Sequence, residues 1–172
     1  MKNEIKILIL NFNGRQFLED CLNSIISINY DYYSITVIDN HSTDGSIEYI
    51  KENYSDISIV ETKENLMFSG GYNYFFTHNR DDCFYMILNN DTIVDKEILN
   101  NFINGINQYG EDNIYGPKIM YVKDKNKIWY AGGKVNLNRG ILIIDKIPVC
   151  FNDKRIYETS NLIFLFFIEP ET

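Results

Sequence analysis

Asn89-Asn90-Asp91-Thr92 puts two amides, a carboxylate and a hydroxyl directly behind the apolar run at residues 84–88. Amides offer both a donor and an acceptor, and carboxylates accept hydrogen bonds or ligate hard cations. Such a cluster at the end of a buried strand could hold a metal ion and a phosphate. Three other apolar runs stop the same way. Residues 5–10 lead into Asn11-Phe12-Asn13-Gly14, and residues 34–39 end at Asp39 before Asn40-His41-Ser42-Thr43-Asp44-Gly45. Residues 57–62 lead into Lys63-Glu64-Asn65, with Ser69-Gly70-Gly71 close behind. Each cluster alone reads as a turn or a helix cap, because Asn-Gly and Asp-Gly are ordinary turn formers and Ser or Asp ordinary caps. Four together suggest one polar rim.

The elements needed to build that rim alternate along the chain. Residues 5–10, 34–39, 57–62 and 83–89 are strand-like, and the second run is β-branched. Between them, residues 16–28 carry Phe17, Leu18, Cys21, Leu22, Ile25 and Ile26 on one helical stripe. Asp44-Gly45-Ser46 opens a short helix with Ile47 and Ile50, and Asp44 is expected to cap it. Gly70-Gly71 precedes a helix running to Asn79. Asp95 is placed to cap a helix whose stripe is Ile98, Leu99, Phe102, Ile103 and Ile106. Four β-then-α units predict an α/β fold with a mostly parallel sheet and helices on both faces. In such a sheet ligands bind outside the carboxyl ends of the strands, where all four polar clusters fall. After about residue 110, strand-like pieces at 118–122, 128–130, 141–144 and 162–168 follow without strong helices, which predicts an antiparallel or mixed extension.

Bulk composition narrows the functional classes. A chain of 172 residues with 45% hydrophobic and 23% charged residues is expected to be one globular domain. A formal net charge of −8 argues against a nucleic-acid partner, which needs a basic footprint. An anionic ligand would need local help from a cation or from helix N-termini. Cys21, Cys83 and Cys150 are far apart and the only histidines are His41 and His78, so a structural zinc site is not expected. The odd cysteine count and the absence of a signal-like start suit a reducing compartment. The longest apolar stretch, at residues 162–168, is far shorter than the ~20 residues that span a bilayer. No GxGxxG follows the first strand and no GxxxxGK[ST] occurs, which counts against a dinucleotide dehydrogenase or a P-loop NTPase.

The segments ILILNFNG, VIDNHSTDGS, ENLMFSGGYN and LNNDT, in this order and spacing, resemble the family 2 glycosyltransferases. Within that family the likeness is to the rhamnosyltransferase-like bacterial members. It covers residues 5–133 and includes IWYAGG at 128–133. The resemblance implies the GT-A fold, a Rossmann-like, mostly parallel mixed sheet flanked by helices. It implies one domain over residues 1–172, divided into a nucleotide-sugar-binding half at 1–110 and a mixed-sheet extension at 111–172. It further implies transfer of a sugar from a UDP- or dTDP-linked donor to a saccharide or lipid-linked acceptor in cell-surface polysaccharide synthesis. The implied setting is cytoplasmic, with peripheral contact at the inner face of the membrane.

By the same resemblance, Asn11 and Asn13 line the base pocket, and Asp39 accepts hydrogen bonds from the base or ribose. Asn65 and the Ser69-Gly70-Gly71 turn let the backbone approach the nucleoside. Asn89, Asn90 and Asp91 fall where the family has its Asp-x-Asp motif, with Asp91 binding a divalent cation, Mg2+ or Mn2+. The chain departs from the stricter pattern at Asn89, where an amide replaces a carboxylate, so one charged protein ligand and weaker metal affinity in the absence of nucleotide are expected.

The family's catalytic base, an acidic segment further along, has no counterpart in position. Glu19-Asp20 and Glu111-Asp112 lie elsewhere, and Glu158, Glu169 and Glu171 are candidates by location only. The chain thus reads as the donor half of such an enzyme with an incomplete acceptor half. A nucleotide-sugar-binding remnant without turnover is the alternative. A sugar-nucleotide pyrophosphorylase is disfavoured, because NFNGRQF lacks that class's glycine-rich basic loop. The apolar run at 162–168 leads us to expect a homodimer or larger species through the C-terminal third, disrupted by lysine at Phe166 or Phe167.

Overall fold

The computed structural model describes residues 4–79, 81–111, 114–121, 127–130, 133–136, 141–144 and 163–164. The chain runs β1 (Ile5–Asn11), α1 (Arg15–Ile26), β2 (Tyr33–Asp39), α2 (Ser46–Asn53), β3 (Ser58–Glu61), α3 (Met67–His78), β4 (Phe84–Asn89) and α4 (Ile98–Tyr109). Five short strands follow: β5 (Ile119–Met120), β6 (Ile128–Tyr130), β7 (Gly133–Asn136), β8 (Ile141–Ile144) and β9 (Ile163–Phe164). The main sheet has the order β3-β2-β1-β4-β9. Every pairing in it is parallel. β5–β6 and β7–β8 form separate antiparallel pairs. The expected α/β class is observed. After residue 110, β5–β6 and β7–β8 pair outside the main sheet, and β9 joins that sheet in parallel beside β4. β7 falls outside the strand-like pieces read from sequence.

β1 shows why its sequence is almost unbroken hydrophobe. Ile5, Ile7 and Ile9 enter a core with Leu18, Leu22 and Ile25 of α1 and Leu99, Phe102 and Ile106 of α4. Leu8 turns the other way and packs with Ile38, Tyr72 and Phe75, the last two from α3. A strand covered on both faces has no solvent side on which to place polar residues. The helices follow the opposite rule, and only one stripe of each is buried. In α1 that stripe is Leu18, Cys21, Leu22 and Ile25. Phe17 and Ile26, expected on it, are 44% and 50% exposed. They lie on the two lateral edges of the stripe, one on each side of the buried Leu18, Cys21, Leu22 and Ile25. In α4, Ile103 is only partly buried beside the four other expected residues.

Two helix starts differ from expectation. The N-cap of α4 is Glu97 rather than Asp95, although the Asp95 carboxylate does accept from the Glu97 N–H at 2.8 Å. α3 begins at Met67, so Ser69, Gly70 and Gly71 lie inside its first turns and do not form a turn before it. The physical reason is close packing. A Cβ at Gly71 would stand 2.5 Å from Leu10 Cδ1, so glycine there lets α3 lie against β1. The Tyr72 hydroxyl then donates to the Leu88 carbonyl at 3.1 Å, fixing the helix to β4. Of the apolar run at 162–168, only Ile163 and Phe164 lie within the described residues. They pair with Met86 and Ile87 at the end of the described strand order. Phe166 and Phe167 lie outside the described residues, as do Glu158, Glu169 and Glu171.

Among the described residues no helix is long and apolar enough to cross a membrane. The sheet order fixes where a ligand site belongs. The chain moves from β1 outward through β2 and β3, then returns to place β4 on the other side of β1. The crevice between the carboxyl ends of β1 and β4 is a topological switch point, the usual binding position in open α/β sheets.

Candidate functional site

Parallel register brings the polar clusters to one rim. Asn11 lies beside Asp39, and Leu10 lies beside Asn89. The Asp39 carboxylate accepts from Asn11 Nδ2 at 2.9 Å and from the Ser42 N–H at 2.8 Å. Asn11 Nδ2 also donates to Ser42 Oγ at 3.1 Å, and Asn11 Oδ1 accepts from Asn90 Nδ2 at 2.6 Å. The Asn13 N–H donates to Ser42 Oγ at 2.9 Å, and Asn13 Oδ1 accepts from the Thr43 N–H at 2.8 Å. One connected network thus spans the ends of β2, β1 and β4.

The rim has two layers. Asn11 and Asp39 are both 0% exposed and form the inner one. Asn13, Asn65 and Asp91 are exposed and Ser42, Asn89 and Asn90 half-buried, and these make the outer layer. Asn40, also buried, ties the β3–α3 connection to the rim. Its Nδ2 donates to Asn65 Oδ1 and to the Met67 carbonyl, both at 3.0 Å, and its Oδ1 accepts from the Leu66 N–H at 2.9 Å. Asn65 Oδ1 in turn accepts the Met67 N–H at 2.8 Å.

Backbone strain concentrates here as well. Among the described residues the non-glycine positions with positive φ are Asn13 at 49°, His41 at 69° and Met67 at 62°. Each follows the carboxyl end of a different strand. Left-handed backbone at a non-glycine residue persists only where its surroundings enforce it, and such residues gather at functional sites.

Helix N-termini also face this rim. Asp44 Oδ2 accepts from the Arg15 N–H, the first residue of α1, at 2.8 Å. Asp44 Oδ1 accepts from the Ser46 N–H, the first residue of α2, at 3.1 Å, and from Ser46 Oγ at 2.5 Å. The N-cap position of α2 is Gly45, so Asp44 serves both helices from one residue further out than expected. Burial pushes the Asp44 carboxyl up, but the hydrogen bonds from Ser46 and Arg15 outweigh it and hold the group below its ordinary value.

At the β4 end, the Cys21 thiol donates to the Asn89 carbonyl at 3.8 Å. Burial, with a smaller contribution from the Asp91 charge, pushes this thiol up to about 12, so it stays neutral beneath the turn. Thr92 is 1% exposed, and its hydroxyl has no hydrogen-bond partner among the described residues.

Among the described residues no three His, Cys, Asp or Glu side chains gather as a metal cluster. The donor at the β4 end is one exposed carboxylate, Asp91, beside two amide residues. Such a set suits Mg2+ or Mn2+, hard cations commonly held by one or two carboxylates with substrate phosphates and waters completing the shell.

Asn11, Asn13, Asp39, Asn65, Asn89, Asn90 and Asp91 all stand at the rim, as expected from their strand ends. Gly70 and Gly71 belong instead to the helix packing behind it. Sequence reasoning missed Ser42, Asn40 and Gly14. Ser42 and Asn40 were visible only as members of the polar cluster after the second apolar run, with no role assigned to either. Gly14 was visible as half of an Asn-Gly turn, yet a Cβ there would stand 1.8 Å from Asn90 Nδ2.

Residues 6–165 match the family model described as Glycosyl transferase family 2. No curated protein sequence matches the chain. Among solved structures, S. aureus TarS in complex with UDP-GlcNAc aligns with a TM-score of 0.62 at 15% identity, covering 70% of this chain and 36% of that one. The TarS complex with UDP gives a TM-score of 0.62 at 15% identity, covering 70% and 37%. A mannosyltransferase from Pyrobaculum calidifontis in complex with GDP-Man and Mn2+ aligns with a TM-score of 0.59 at 18% identity, covering 72% and 37%. At these identities the likeness shows a shared fold, the GT-A fold. The chain spans little more than a third of the length of these structures.

Proposed function

The chain belongs to glycosyl transferase family 2, and from that premise we propose that it transfers a sugar from a UDP- or dTDP-linked donor to a saccharide or lipid-linked acceptor. The observation that carries this reading is the network at the switch point, where Asn11 joins the β2 loop through Ser42 to the β4 turn through Asn90. The likeness to proteins solved with UDP, UDP-GlcNAc and GDP-Man supports a nucleoside-diphosphate sugar as the donor class. Residues 1–110 then form the donor-binding half and residues 111–172 part of the acceptor half. Assembly of cell-surface polysaccharide at the inner face of the membrane is the setting this chemistry suggests.

In this proposal the β2 loop and Asn13 receive the nucleoside, with amide and hydroxyl groups suited to a pyrimidine edge. The diphosphate lies over the β4 turn, where Asp91 holds Mg2+ or Mn2+ and the amides of Asn89 and Asn90 orient its oxygens. A divalent cation at this position supplies charge neutralisation as the diphosphate leaves. The chain's own part is to hold donor and acceptor in a reactive arrangement.

Calorimetry with UDP and with dTDP in the presence of Mn2+, run beside a donor-hydrolysis assay, tests the proposal. Binding with hydrolysis is the expected result. Binding without hydrolysis would leave a nucleotide-sugar-binding remnant, and no binding to either nucleotide would overturn the donor assignment.

A further inference from the structure

Asn11 was expected to touch the base, yet it has no exposed surface and its amide is committed inward. Both hydrogens of Nδ2 are used, one by the Asp39 carboxylate at 2.9 Å and one by Ser42 Oγ at 3.1 Å. A carboxylate can only accept, so Nδ2 must face Asp39 and Oδ1 must face Asn90, whose Nδ2 donates to it at 2.6 Å. The orientation is therefore set by chemistry. A second, independent feature protects this link. A Cβ at Gly14 would lie 1.8 Å from Asn90 Nδ2 and 2.7 Å from Asn11 Oδ1, so glycine leaves the space in which the two amides meet.

The bond joins two parts of the rim with different tasks. On one side, Ser42 receives both Asn11 Nδ2 and the Asn13 N–H and is itself tied to Asp39. On the other, Asn90 directly precedes Asp91 on the β4 turn. We propose that Asn11 is a positioning residue that couples nucleoside binding at the β2 loop to divalent-cation binding at the β4 turn. The inference rests on the function proposed above and deepens it. A nucleoside that orders Ser42 and Asn13 also fixes Asn11, and Asn11 fixes Asn90 and the start of the Asp91 turn. Order already paid for by one ligand need not be supplied by the next, and the effect must be reciprocal. A weak single-carboxylate cation site would thus fill mainly when nucleoside is present, without any phosphate bridging the two.

The test uses uridine, which has no phosphate, so any coupling must pass through the protein. Free Mn2+ is followed by electron paramagnetic resonance during titration of the protein, with and without saturating uridine. In the wild type, uridine should tighten Mn2+ binding by about fivefold or more, the lower end of usual coupling. Gly14→Ala, whose added Cβ would stand between Asn90 Nδ2 and Asn11 Oδ1, should lose the enhancement. Asn90→Ala, which removes the donor without adding an atom, should lose it too. Circular dichroism establishes folding of each variant. A merely structural role would lower both affinities together and leave their ratio unchanged. A ratio near one in the wild type, or a wild-type ratio in the folded variants, would overturn the coupling alone. A wild type that binds neither uridine nor UDP would remove the donor reading and the coupling with it.

Discussion

Thr92 is the least satisfied residue at the rim. Its hydroxyl is buried just beyond β4, next to Asp91, and has no partner among the described residues. Burying a hydroxyl without a hydrogen bond costs about 1–3 kcal/mol by mutational measures. Valine has nearly the same shape and no such group to desolvate. Thr92→Val should therefore stabilise the free protein by about 1 kcal/mol, seen as a rise in the denaturant midpoint at unchanged slope. Destabilisation instead would mean that the hydroxyl meets a partner in solution. Residues of this kind mark the limit of sequence reading. Asn11, Asn13, Asp39 and Asp91 were legible, because each follows an apolar run that could only be a strand. That Asn11 and Asp39 lie beneath the rim was not. Their depth depends on how the β2 loop folds over them, and Ser42, which makes it do so, looks like any loop serine.

Between elements, Asp44 does what a backbone donor cannot do for itself. The first N–H groups of a helix have no partner within the helix, and this carboxylate accepts one from α1 and one from α2. Asp44→Ala should cost about 1 kcal/mol, by analogy with loss of a capping group. The sign of its pH dependence follows from the lowered pKa. Stability from a carboxyl group held below its ordinary value is complete above that value, 3.8 here, and is lost as pH falls through the lower folded value. Urea titrations of wild type and Asp44→Ala should differ at pH 7 and converge in acid below that window. A gap that persists unchanged at acid pH would mean that the side chain acts through its shape, not its charge. The element boundaries show where local signals compete with packing. The order of the first four strands and helices was legible from apolar runs and stripes together with the polar and glycine residues between them, whereas β7 was not. Gly70-Gly71 reads locally as a turn, but Gly71 exists because α3 must approach Leu10, a contact 61 residues away along the chain (71 − 10). Phe17 and Ile26 fit a broad helical stripe by period, yet they stand at its lateral edges and only the residues between those edges are buried.

For the molecule as a whole, electrostatics pose the sharpest question. The chain carries a formal net charge of −8, and the proposed donor carries a diphosphate. The long-range field of the protein therefore opposes its ligand. The nearest basic side chain on the first helix does not relieve this, since the Arg15 guanidinium sits 3.2 Å from the Tyr49 ring centroid, stacked on α2. The N-termini of α1 and α2 already have a carboxylate, Asp44, occupying donors that an anion would otherwise use. The proposed cation, brought in with the nucleotide and held by Asp91 at the exposed β4 turn, would offset that repulsion. UDP affinity should then fall at least tenfold, about 1.4 kcal/mol, when EDTA removes the divalent ion. Asp91→Ala should reproduce that loss with Mn2+ present. Uridine, which carries no phosphate to repel, should lose far less than UDP in either case. Calorimetry on the four combinations of protein and metal decides the matter. Equal, metal-independent UDP binding by wild type and Asp91→Ala would remove the cation from the site and leave the backbone donors of the rim to carry the phosphate charge.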